Sequence, residues 1–244
     1  MTQFGTAVAL AENMAYLPRY EYVCDNCYFH VTWQCHDNNW LMQWDWAKKL
    51  YYNLLLKYKD KYGIEIHAYN FMDNHPHLIG HMHEKEKFSA FFRVVNSQLA
   101  LAINKQLKRR GQVVMDRFKS PQIESDEHML TAMAYVDLNQ HRVKKVTHPK
   151  HNDWSSYGYY AYGKNDPLIT PSPSYLGLGR DTQSHCREYR AIVEALIANR
   201  KTMNISHTYY IGNPDWVLKK YRELCDKLGR KVTPVMAKKL TGSP

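Results

Sequence analysis

The segment Ile64 to His83, "IEIHAYNFMDNHPHLIGHMH", restricts the fold more than any other part of the chain. Asp73-Asn74, a turn dipeptide, separates two runs that read as strands over 64–72 and 75–83 and run back beside each other. Pro76 cannot donate to a ladder and belongs at a strand start or on a bulge. Before this hairpin, "YFHVTWQC" (28–35) reads as a strand, and the helical spacing that follows it stops at Gly63. After it, "EKFSAFFRVVNSQLALAINKQLKRRG" (86–111) reads as a second amphipathic helix, and "DRFKSPQIE" as a short fourth strand. The order β-α-β-β-α-β predicts an α+β, ferredoxin-like antiparallel sheet with two helices on one face.

A further helix follows, with Ser125 as N-cap and Asp126 and Glu127 in its first turn. Met129, Ala132, Met133 and Val136 form its apolar stripe, and Tyr135 and Asn139 share a neighbouring face one turn apart. The stretch "NDPLITPSPS" marks a boundary. The expected organisation is an irregular lead-in over 1–20, a catalytic domain over 21–165, a linker over 166–180 and a basic helical extension over 181–244.

A net charge of +10 favours a polyanionic partner, nucleic acid ahead of an anionic membrane. From Asp181 onward 12 Lys/Arg face 6 Asp/Glu, so the extension holds +6 of that charge. No apolar run approaches the roughly 20 residues of a membrane span, and "FGTAVAL" lacks the basic segment of a signal peptide, so the expected location is the cytoplasm. Five scattered cysteines do not form a disulfide framework. Cys24, Cys27, Cys35 and His36 make a zinc site only if ligands are drawn from both ends of a strand.

His75 and His77 point to one face, roughly 6–7 Å apart along a strand, a gap that suits two imidazoles closing on one ion. His81 lies about 13 Å beyond His77, too far to share it. A free tyrosine is a weak nucleophile at neutral pH, but Asn139 beside Tyr135 offers an amide oxygen to complete a site begun by the two imidazoles. Asn139 ending the helix is the competing account. Arg117 and Lys119, near the fourth strand, and Arg142, Lys144 and Lys145, after the tyrosine helix, are candidate phosphate contacts. Tyr157, Tyr159, Tyr160 and Tyr162 either stack on unpaired bases or pack their loop on the core.

"FHVTWQ", "AYNFMDNHPHLIG", "DRFKSPQIESDEHMLTAMAYVDLNQHRVKKV" and "DWSSY" resemble, in order, the motifs of the REP-associated tyrosine transposases, a branch of the single-tyrosine HUH endonucleases. The resemblance spans roughly residues 20–180, and "YYIGNPDWVLKKYREL" (209–224) is similar to the longer C-terminal form of that family. It implies that His75, His77 and Asn139 bind Mg²⁺ or Mn²⁺, and that Tyr135 is the nucleophile. It also implies a metal-dependent single-stranded DNA endonuclease and strand transferase, acting on hairpin-forming repeats through a 5′-phosphotyrosine; the sequence does not decide between a monomer and a homodimer. Pro76 between the histidines, and Gln140-His141 where the family reads Pro-Val, depart from its pattern. The alternatives are a domesticated, catalytically silent nucleic-acid-binding protein, and a metal phosphoesterase in which Tyr135 takes no part.

Overall fold

The computed structural model describes residues 17–124, 127–199 and 209–230. Elements follow in the order α1 (Arg19–Tyr22), β1 (Cys27–Thr32), α2 (Asp45–Tyr58), β2 (Ile64–Phe71), β3 (Pro76–Met82) and α3 (Lys85–Gln106). Then come β4 (Gln122–Ile123), α4 (Glu127–Asp137), α5 (Asn139–Arg142), α6 (Tyr157–Tyr162), α7 (Pro173–Leu176), α8 (Thr182–Asn199), β5 (Tyr210–Ile211) and α9 (Pro214–Lys227). The sheet runs β2-β3-β1-β4-β5, antiparallel except for the last pair. Its first four strands have the ferredoxin-like order that the sequence pattern predicts.

One face of the sheet carries the main core. Phe29 and Val31 of β1 and Leu78 of β3 pack against Phe88, Phe92, Val95 and Leu99 of α3 and Tyr51, Leu54 and Leu55 of α2. Each such side chain removed from water contributes about 1.5–3 kcal/mol. Helix α2 forms because Ala47, Tyr51, Leu54 and Leu55 recur at helical spacing. A 3₁₀ turn then leads to Gly63, whose φ of 61° ends the run as a left-handed cap. Gly80 has no substitute, since a Cβ there would lie 2.1 Å from the Glu65 carbonyl oxygen and 2.7 Å from the Phe29 ring.

The opposite face is polar. Tyr28, His30 and Thr32 of β1 stand beside His77, Ile79 and His81 of β3, and Glu65 and Asn70 of β2 are register partners of His81 and His77. A bulge between Ile66 and Ala68 leaves His67 as the extra residue of β2. Helix α4 crosses this face over β2 and β3.

Several expectations shift in detail. The hairpin strands end one residue inside their expected limits, with Pro76 at the start of β3, where its missing N–H costs no ladder bond. The fourth strand shortens to Gln122–Ile123, preceded by a bridge between Thr32 and Lys119. The helix bearing Tyr135 ends at Asp137, and Asn139 opens a separate short helix after Leu138, whose ψ of −9° breaks the α progression. Ser125 and Asp126, the expected cap and first-turn acid, lie outside the described residues, as do 1–16, 200–208 and 231–244.

The 166–180 stretch and α8 lie against the core. Tyr52 and Tyr69 donate to the Asp166 carboxylate at 2.6 and 2.7 Å, Lys59 Nζ donates to the Leu168 carbonyl, and Leu168 is fully buried. Tyr189 of α8 is buried beside Asp137 and donates to it at 2.8 Å. No described helix is long and apolar enough to cross a membrane.

Candidate functional site

Three histidines gather at the Pro76 end of the polar face. His77 Nδ1 and His30 Nε2 share a hydrogen bond of 2.9 Å, their rings stacked within 8° of parallel. His75 stands edge-on to His77 with ring centroids 4.9 Å apart. The β1–β3 register places His30 and His77 on this face, and the Asp73-Asn74 turn brings His75 round to it. His75 Nδ1 donates to Asn74 Oδ1 at 2.6 Å, which leaves its Nε2 lone pair outward. If His77 Nδ1 donates to His30, its Nε2 is likewise free as a ligand atom.

Burial keeps all three uncharged at neutral pH. It pushes the His30 pKa down to about 3, with His75 adding repulsion, holds His77 well below the ordinary histidine value, and lowers His75. Neutral imidazoles are the form that binds metal.

The end of α4 is fastened to the same strands. Asn70, the register partner of His77, donates to the Val136 carbonyl at 2.8 Å and the Asp137 carbonyl at 3.3 Å. One residue on, the Phe71 carbonyl accepts from Gln140 Nε2 at 3.2 Å, and Phe71 pairs with Pro76. These bonds bracket Asn139 and hold it and Tyr135 near the histidine end of the sheet. Asn139 is buried, and its Nδ2 has no hydrogen-bond partner. An amide can turn either its oxygen or its nitrogen to that side, so an orphaned amide held toward the same end of the sheet as two imidazoles offers donor types that suit a mixed N/O divalent ion. The residues fit such an ion.

Tyr135 is half-buried, and the Arg142 guanidinium lies 4.3 Å over its ring centroid. Two residues on, buried Asp137 accepts from Ser156 at 2.6 Å and Tyr189 at 2.8 Å. Burial outweighs those bonds and raises its pKa to about 7.

The basic candidates separate. Lys119 bridges to Thr32, itself paired with His77, so it sits on the histidine side of the sheet. Lys145 is exposed and bonds Asp73, a carboxylate that also accepts from Lys48 at 2.8 Å. Lys144 is exposed with a φ of 58°. Arg117 instead lines a groove with Arg19 and Arg93 beside α3, on the opposite face. The tyrosine loop is a helix rather than a stacking platform, because Tyr157 and Tyr160 are fully buried and only Tyr162 is largely exposed.

His30, Asn70 and Asp137 join the site although no motif role in the sequence marks them. A histidine inside "FHVTWQ" at the site's own strand spacing is the one signal that pointed to His30.

Residues 23–139 match the family model described as "Transposase IS200 like". Among solved structures, the chain is similar to a REP-associated tyrosine transposase bound to a REP hairpin. The TM-score is 0.52 at 18% identity, covering 65% of this chain and 93% of that one, a likeness of fold. No curated protein matches the chain.

Proposed function

We propose that the chain, whose residues 23–139 match the IS200-like transposase model, cleaves and rejoins single-stranded DNA at hairpin-forming repeats. Tyr135 is the nucleophile, and His75, His77 and Asn139 hold a divalent ion, Mg²⁺ or Mn²⁺. The observation that carries this reading is the brace from Asn70 and Phe71 to Val136 and Gln140, which ties the tyrosine helix to the strand partners of Pro76 and His77.

In the reaction, the Tyr135 hydroxyl oxygen bonds to the scissile phosphorus as the bond to the 3′ oxygen breaks. The products are a 5′-phosphotyrosine and a free 3′-OH. One phosphodiester replaces another, so no external energy source is required, and attack by a second 3′-OH reverses the step. The ion, when bound, supplies Lewis-acid polarisation of the phosphate. Arg142, held over the Tyr135 ring, contributes positive charge where the phosphate must lie, and Lys119, Lys144 and Lys145 extend that field along the strand. The brace keeps the nucleophile oriented relative to the histidines, which is worth more in rate than an added contact.

The partner inferred is a DNA hairpin with a single-stranded flank. The test is incubation with such hairpins in Mg²⁺ or Mn²⁺, followed by a denaturing gel. A covalent protein–DNA band in the parent that vanishes in Tyr135→Phe, with hairpin binding intact, supports the reading. Binding with no adduct in the parent supports the silent-binder alternative. Unchanged cutting by Tyr135→Phe moves the nucleophile elsewhere.

A further inference from the structure

The far end of the polar face carries a second cluster that the DNA reaction does not use. Glu65, His81 and His83 each offer one ligand atom within 4.8 Å of the others, the one such group of His, Cys, Asp and Glu among the described residues. Glu65 and His81 are register partners on adjacent strands, and His83 follows β3 by one residue. Glu65 Oε1 is 3.3 Å from His83 Nε2, and the His81 and His83 rings meet edge-on at 4.8 Å.

A second observation points the same way. His67, the bulge residue beneath, is almost fully buried, and its Nδ1 donates to the Thr170 carbonyl at 2.7 Å. That bond leaves the Nε2 lone pair facing the cluster, 3.9 Å from Glu65 Oε2 and without a hydrogen-bond partner. A histidine whose tautomer is pinned by a backbone carbonyl is the usual form of a metal-ligating imidazole. Tyr28 packs on both His67 and His81, holding their rings in place.

We propose that Glu65, His81 and His83, with His67 beneath them, form a second divalent-metal site selective for zinc-class ions. Imidazole nitrogens outnumbering a single carboxylate suit Zn²⁺ ahead of Mg²⁺, the more so with His67 as a further nitrogen donor. The site lies about 13 Å along β3 from His77, too far to share an ion with it. It ties the β2 bulge to the end of β3, and so clamps the hairpin that carries His75 and His77 at the opposite end. It stands independently of any role for Tyr135.

The untagged full chain, stripped of metal by chelator, is titrated with Zn²⁺ in excess Mg²⁺, following both binding stoichiometry and the thermal midpoint. In His77→Ala, which removes a ligand of the first site, one equivalent should still bind and raise the midpoint; His75→Ala serves if that variant does not fold. Made in that His77→Ala or His75→Ala background, His83→Ala, at a half-exposed position, and Glu65→Gln should each weaken Zn²⁺ by about 10–100-fold, at least what losing an outer-shell partner costs. Zn²⁺ binding that survives both substitutions, or that disappears with His77→Ala and His75→Ala alone, overturns the proposal and leaves Glu65–His83 as an ion pair only.

Discussion

Asn70 reaches from the strand position opposite His77 to the Val136 carbonyl, one residue past Tyr135, at 2.8 Å. The bond joins two parts of the site that lie 66 residues apart in sequence. Asn152 in turn donates to Asn70 Oδ1, so the brace is itself supported.

Replacing Asn70 by alanine therefore leaves the buried carbonyls of Val136 and Asp137 without this donor, at a cost of about 1–3 kcal/mol. DNA cleavage should fall by more than the stability loss explains, because the tyrosine helix loses its fixed position while no proposed phosphate contact is touched. Hairpin affinity and single-turnover cleavage, compared below the melting transition, check this. An equal drop in both would reduce Asn70 to a packing residue.

The α8 segment belongs to the folded body by the same kind of contact. Tyr189 is fully buried and donates to Asp137, and Val193 is buried beside it in the core. Tyr189→Ala should cost about 3–5 kcal/mol, the range for emptying a large aromatic site. A chain ending at residue 180 should be less stable still, measured as a fall in thermal midpoint. A truncated chain that melts like the parent would make 181–244 an appendage, as the Pro- and Ser-rich boundary suggests from sequence alone.

What could be read from the chain depended on range. The hairpin, the amphipathic helices and the apolar stripe of α4 are local patterns, and they appear where periodicity places them. The Tyr135–Asn139 spacing looked like one helical face, yet the chain breaks at Leu138 and the pair sits on successive helices. His30, Asn70 and Asp137 carried no local mark of importance, because each matters through a partner on another element. Likewise the tyrosines 157 and 160 look surface-ready beside glycine and polar residues, and only the docking of α6 and α8 buries them.

Asp137 makes the fold pH-dependent. Its folded pKa, raised by burial to about 7, lies above the roughly 3.9 of an unfolded aspartate, so the native state binds the extra proton between those values. Its contribution to stability is full below about pH 4 and is lost as pH rises through 7. Asp137→Asn keeps the side chain's shape and removes the titration. Its thermal midpoint should rise relative to the parent between pH 5 and pH 8. A parent–variant difference that stays constant over that range would show that folding does not raise the Asp137 pKa into it.

Asn139→Ala should lower divalent-ion affinity and cleavage together, with recovery at high Mn²⁺. The motivation is the orphaned buried amide, bracketed by the Asn70–Val136 and Gln140–Phe71 bonds that hold it near His75 and His77. The competing account, in which asparagine ends the tyrosine helix, calls for the left-handed conformation such caps adopt. Asn139 does not have it and begins α5 instead. Losing a ligand should weaken the ion by at least the 10–100-fold that loss of an outer-shell partner costs, to order of magnitude. A capping role predicts lower thermal stability and unaltered metal dependence. Cleavage titrated against Mn²⁺ separates the two: a curve displaced to higher Mn²⁺ with a full plateau supports the ligand role. Superimposed curves for variant and parent would remove Asn139 from the metal site and leave Tyr135 as the nucleophile to be tested on its own.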